Sequence, residues 1–214
     1  MPMIRPMIRS LALLAALTLL GACSTISALG TATTPLDAYE VRSTGDLPRA
    51  AGGPVSRDLI VEEPTASGAL NTERILIRPS PLEAQYLPDA RWTDTVPVMV
   101  QTLMVRSLQQ TGGVRFVGRR PIGLGGDFAL LTEVTDFQAT VAPDGTTVTT
   151  RIRIVASMVR ESDAQVVASR VFQVDGVAPS TETIAIVQAL DQSMALLMPD
   201  FVSWAMAAVG ARVS

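Results

Sequence analysis

From Thr147 to Val159 the chain alternates with a period of two. Val148, Ile152, Ile154, Ala156 and Met158 face one way, and Thr147, Thr149, Arg151, Arg153 and Ser157 face the other. A helix cannot serve that period, because its side chains return to one face every 3.6 residues. Two further β-rich runs flank it, Phe128 to Val141 and Gln165 to Val174. Ala142-Pro143-Asp144-Gly145 separates the first pair: proline presets φ, and glycine accepts positive φ. Glu161-Ser162-Asp163 separates the second. Links this short predict an antiparallel meander. In the first run the alternation changes phase: Phe128, Leu130 and Val134 share one parity, and Phe137, Ala139 and Val141 the other. A β-bulge near Thr135–Asp136 accounts for the shift.

Upstream, Asp37 to Val41, Asp58 to Glu62 and Arg74 to Arg78 read as short strands, and Tyr86 begins another before Pro88. Gly45, Pro48, Gly52, Gly53 and Pro54 mark residues 43–56 as a loop. Asp94 to Gln110 reads as a helix, capped by Asp94 or Thr95, with Pro97 in the first turn and Gly112-Gly113 at its end. Val114 to Val117 is a short strand after it. A second helix runs from about Ser180 or Thr181 to Ala208, with a stripe through Ile184, Val187, Met194, Leu197, Phe201, Trp204 and Ala208. Pro199 is expected to kink or split it near Leu197–Met198. The expected fold class is α+β: an antiparallel β-sheet, made of the long meander and short N-terminal strands, with two helices packed on one face. The stretch after Pro199 (Phe201, Trp204, Met206, Val209) either packs on the sheet with the rest of the helix or docks on a partner.

The N-terminus carries a different signal. Arg5 and Arg9 precede an apolar run from Leu11 to Leu20, and Leu20-Gly21-Ala22-Cys23 follows. A charged n-region, a short apolar h-region and small residues before a cleavage point form a secretory signal. Cys23, the single cysteine of the chain, stands where a bacterial lipoprotein signal places its acylated, palmitate-bearing residue. The run is shorter than the roughly 20 apolar residues of a spanning helix. The expected organisation is a signal peptide over 1–22, a lipidated Cys23 with a flexible tether to 36, and one domain over 37–210. Two or more acyl chains on Cys23 provide a stable anchor. Ser24 rather than Asp after the cysteine points to the outer membrane, on the periplasmic side of the envelope.

Composition narrows the chemistry. The 214 residues are 48% hydrophobic and 17% charged, enough apolar content to fold. The 17 basic residues, less Arg5 and Arg9, leave 15 against 20 acids, a charge of −5 for the mature chain. That balance offers no footprint for nucleic acid. All the basic residues are arginine, and the chain has no His and no Lys. The commonest general base and transition-metal ligand is therefore missing, and an acylated Cys23 is neither nucleophile nor ligand. Glu62-Glu63 are expected on opposite strand faces, Glu133 and Asp136 beside the bulge, Arg119-Arg120 in a solvated turn, and Arg151 and Arg153 paired with acids across the sheet. Trp92 is expected to cover the start of the first helix, with Arg91 held by a carboxylate or the ring. Gly123-Leu124-Gly125-Gly126 has neither GxGxxG spacing nor a P-loop lysine and reads as a flexible connector. No catalytic, cofactor or metal constellation assembles, so no enzyme is expected.

The order of short motifs over Leu59 to Gly113 is distinctive. Leu59-Ile60-Val61-Glu62-Glu63-Pro64 is followed by Glu73-Arg74-Ile75 with Arg78, then Gln85-Tyr86, Arg91-Trp92-Thr93-Asp94 and the helix from Val96 to Leu108. Together with Asp127-Phe128-Ala129-Leu130, Phe137 and Ser169-Arg170-Val171-Phe172, and behind the Cys23 signal, this order resembles the PqiC-like ABC-type transport auxiliary lipoproteins. The resemblance covers about residues 37–208. It implies a non-catalytic accessory subunit of an intermembrane lipid-transport system, whose partners are an MCE-domain protein, an ABC permease and an ATPase. Some members form rings, so it also implies a homo-oligomer. It supplies no catalytic residues; only Cys23 carries over as a site. The residues alone leave a second reading open, a structural or envelope-assembly lipoprotein of the outer membrane.

Overall fold

The computed structural model describes residues 35–42, 44–120 and 125–214. Cys23, the tether from 24 to 34 and residues 123–124 of the glycine-rich connector lie outside the described residues.

Three long strands dominate: β7 (Phe128–Val141), β8 (Val148–Arg160) and β9 (Gln165–Ala178). Here β1 to β6 are Asp37–Tyr39, Val55–Val61, Thr65–Ala66, Arg74–Arg78, Gln85–Trp92 and Val114–Gly118, and α1 and α2 are Val96–Thr111 and Thr183–Ala208. β7 pairs β8, and β8 pairs β9, antiparallel along nearly their whole lengths. The expected meander is present, and so is the bulge: the β7–β8 register shifts between Val134 and Asp136.

The short strands join differently from the meander. β2, β3 and β4 pair in succession along the other side of β7, all parallel to it. β6 adds to β2 in parallel, β5 to β4 antiparallel, and β1 to β5 in parallel. The nine-stranded sheet of the α+β fold is therefore mixed. Hydrophobic alternation reports which face is buried and says nothing of strand direction. β5 also runs through Pro88, where a shorter strand was expected. Its pairs with β4 fall at Gln85, Tyr86 and Arg91, and those with β1 at Ala90, Arg91 and Trp92. Pro88 sits where neither neighbour uses its missing N–H.

Both helices cover one face. α2 lies on β8 and β9, and α1 beside it against β2, β6 and α2. α1 starts after Thr95, whose N–H bonds the Asp94 carboxylate at 2.9 Å, and ends at Gly112, with φ 63°. That left-handed C-cap is cheap only for glycine. α2 is one helix that contains Pro199 and is not split there. Its buried stripe runs through Ile186, Leu190, Met194, Leu197, Phe201, Ala205 and Met206, while Ile184 is exposed. Ile184 lies on the outer side of the first turn, while the following Ala185, Ile186 and Val187 are buried. Phe201, Met206 and Val209 are buried in the chain's own core. Trp204 packs edge-on to Phe172, with centroids 5.5 Å apart, and Phe172 meets Phe201 at 5.4 Å. Of the two readings for the stretch after Pro199, packing with the rest of the helix is the one observed, and each aromatic pair there adds about 0.5–1.5 kcal/mol beyond its buried area.

Candidate functional site

Helix-free, the opposite face of β7, β8 and β9 is graded along the strands. Toward the β8–β9 turn it shows Leu131, Val155, Val166 and Val171, of which Val166 is 61% exposed. Toward the other end it is polar. There Gln138, Arg151 and Asp175 stand side by side across three strands, with Asp136, Arg153 and Gln173 in the adjacent row. β4 contributes Arg78, paired with Thr140 of β7.

These side chains line a groove of about 470 Å³, bounded by Arg78, Pro81, Asp136, Gln138, Thr140, Thr149, Arg151 and Asp175. Gln138 is buried to 7% exposure and sits between opposite charges. Its Oε1 accepts from Arg78 Nε at 2.9 Å, and its Nε2 donates to Asp136 Oδ1 at 3.3 Å. Arg151 Nε donates to Asp175 Oδ1 at 2.6 Å, and Gln173 supports the second Asp175 oxygen at 3.0 Å. The Arg151 bond, then that from Gln173, holds the Asp175 carboxyl below the usual range. The expected cross-strand ion pair thus forms for Arg151. Arg153 instead donates to the Thr135 hydroxyl at 3.1 Å. The bulge turns Thr135 into its reach.

A second polar cluster closes the far end of the sheet. Arg120 bridges Glu62 and Glu161, and Glu161 also accepts from the Gly126 N–H at 2.9 Å. The Arg120 hydrogen bond is the main reason the Glu161 carboxyl titrates low. Arg119 donates to Gln101 Oε1 at 2.7 Å and to the Thr102 hydroxyl, and Gln101 donates to the Val61 carbonyl at 2.9 Å. Arg119 and Arg120 therefore tie the β6–β7 connection to α1, β2 and the β8–β9 turn, rather than forming a solvated turn. Sequence spacing hides this, since the partners lie far off in the chain. β2 ends at Val61, so Glu62-Glu63 are not on opposite faces of that strand; Glu62 reaches Arg120. Arg91 is held by Glu73 at 3.0 Å, while fully buried Trp92 packs edge-on to Phe137 of β7 at 5.7 Å. Among the described residues no group of His, Cys, Asp and Glu is placed to hold a metal, and no helix is long and apolar enough to cross a membrane.

Sequence reasoning placed Asp136 and Arg151 but missed Arg78, Gln138 and Asp175. For Gln138 and Asp175 the signal was polar residues recurring on the exposed parity of β7 and β9; Arg78, at the end of β4, had none.

With the sheet and its open face described, comparison with known proteins decides the family. The model of the ABC-type transport auxiliary lipoprotein component matches residues 43–200. The chain belongs to this family. That family is described as a component of ABC-type transport. An uncharacterized protein of Bradyrhizobium diazoefficiens is 30% identical over 176 residues, which cover 80% of the auxiliary lipoprotein and 45% of the relative. The chain thus spans less than half of that relative's length. The crystal structure of a Xanthomonas campestris protein superposes with a TM-score of 0.72 at 28% identity, covering 81% of this chain and 96% of the other. A second solved structure, at 18% identity and a TM-score of 0.58, covers 79% and 98% and shares the fold.

Proposed function

We propose that the protein is a lipid-anchored, non-catalytic accessory subunit of an ABC/MCE-type intermembrane lipid-transport system, and that it docks to the MCE-domain component in the periplasm. Membership of the transport auxiliary family carries this reading. The absence of His and Lys from the whole chain supports a docking rather than a catalytic part. Cys23 carries the acyl chains, the segment to residue 36 is the tether, and the anchoring membrane is the outer one.

The surface suits docking. The outer edge of β9 pairs with no other strand among the described residues. An open edge of this length is a template for an added strand or a complementary face. Val167, Val171 and Val177 are exposed along the same strand, and such apolar exposure marks contact surfaces.

The test is affinity capture of the full-length lipoprotein from detergent-solubilised envelopes, followed by identification of what comes with it. An MCE-domain protein recovered with its ABC permease supports the proposal. Neither being recovered under mild detergent, with the bait folded and acylated, overturns it.

A further inference from the structure

The polar groove holds two opposite charges apart. Arg78 and Asp136 both line it, and neither forms an ion pair with any described residue. A guanidinium and a carboxylate this close would ordinarily meet. Gln138 prevents it by accepting from Arg78 at 2.9 Å and donating to Asp136 at 3.3 Å. The amide is itself almost fully buried, so the separation is set by packing. The Asp136 carboxylate takes one further bond, from the Thr135 hydroxyl at 3.1 Å. A carboxylate accepts about four, so it retains capacity. Arg151 stands directly across the β7–β8 register from Gln138. Asp175, itself held by Gln173, fixes it through Nε, and its Nη groups have no hydrogen-bond partner among the described residues.

Arg78 thus bonds one end of the Gln138 amide and Asp136 the other, while Arg151 stands across the register from Gln138 and feels the charge of Asp136 without pairing to it. A simple anion would satisfy the arginines and meet Asp136 as a like charge. A simple cation would meet the reverse. A ligand with both charges a few bonds apart satisfies all three. We propose that this groove binds a zwitterionic headgroup made of a phosphodiester and a primary ammonium. Arg78 and Arg151 take the phosphate oxygens through charge-assisted, fork-shaped donation, and Asp136 takes the ammonium. Gln138 is a positioning residue. The proposal rests on the lipid-transport reading for the source of such a headgroup, although the charge arrangement is independent of it.

The experiment uses the full-length protein in a phosphate-free maltoside detergent. Its probes are glycerophosphoethanolamine, glycerophosphoglycerol and inorganic phosphate, with binding read by calorimetry and by ³¹P line broadening. Glycerophosphoethanolamine is expected to bind about tenfold more tightly than either anion, the value of one good charged hydrogen bond. Asp136→Asn is expected to erase that preference while phosphodiester binding persists, and Arg78→Gln to weaken all three probes. Circular dichroism checks that each variant folds, and Asp175→Asn serves as a milder second probe of Arg151. Equal binding of the three probes, binding of inorganic phosphate alone, no binding by folded protein, or an unchanged preference in folded Asp136→Asn each overturns the proposal. Capture of the MCE-domain protein is scored separately: capture without headgroup selectivity refutes the groove and leaves the transport reading, and the converse refutes docking and leaves the groove.

Discussion

Replacing Gly176 with alanine is expected to destabilise the protein markedly, for a local and calculable reason. Gly176 lies on β9, opposite Thr150 of β8 and beneath α2. A methyl group there would fall 2.5 Å from Ser193 Oγ and 2.6 Å from Thr150 Oγ1. Both residues are 1% exposed, and their hydroxyls bond each other at 3.1 Å, with Ser193 also donating to the Ala189 carbonyl at 2.8 Å. Ordinary contact begins near 3.4 Å, so each hydroxyl must retreat by nearly 1 Å into a packed layer. Overpacking of this kind costs about 1–3 kcal/mol, and losing the shared hydrogen bond about 1 more. Alanine recovers about 0.5–1 kcal/mol through a less flexible unfolded chain. The net is about 1.5–3 kcal/mol, or a fall in Tm of about 5–10 °C for a domain of this size. Thermal unfolding followed by circular dichroism measures it. A companion background, Thr150→Ala with Ser193→Ala, removes both hydroxyls, and there Gly176→Ala is expected to cost little or to stabilise. The reasoning fails if Gly176→Ala melts within about 1 °C of the native chain, or if its cost is the same in both backgrounds.

Two further outcomes are expected. Cys23→Ser abolishes metabolic acyl labelling and moves the protein from the membrane to the soluble envelope fraction, since no second anchor is invoked; unchanged fractionation refutes the anchor. At the β7–β8 turn, the Thr147 and Thr146 backbone N–H groups, with the Thr147 hydroxyl, hold Asp144 down to a pKa of about 2. A carboxyl depressed by folding contributes stability that is complete above the unfolded-state pKa near 4 and is lost as pH falls toward 2. Carboxyl-carbon NMR should place the Asp144 midpoint near 2, and a midpoint near 4 would show that the turn bonds are not made.

Much of the architecture was legible because it depends on local periodicity. The alternation of β8, the bulge at Thr135–Asp136 and the glycine end of α1 each follow from residues adjacent in the chain, whose side chains have only two faces to choose between. Strand direction was not legible. Whether β2, β3 and β4 run with or against β7 depends on how the connections cross the sheet, and α1 intervenes between β5 and β6. Partner choice was also hidden where it spans long separations. Arg120 looked solvated because Glu62 and Glu161 lie far from it in sequence, and two uses stayed open for Phe201 and Met206 because nothing local announced Phe172 and Thr111 as their neighbours.

The sequence by itself determined an α+β chain without His or Lys, with a single cysteine at residue 23, and which face of each meander strand is apolar. These are properties of composition and of short-range pattern, and no tertiary contact can alter them. Only the tertiary structure decided that the N-terminal strands join β7 in parallel, that the end of α2 is spent on the core, and that Gln138 holds Arg78 and Asp136 apart. Each of those depends on side chains brought together from separate strands and helices, and their distances are set by packing that no single segment encodes.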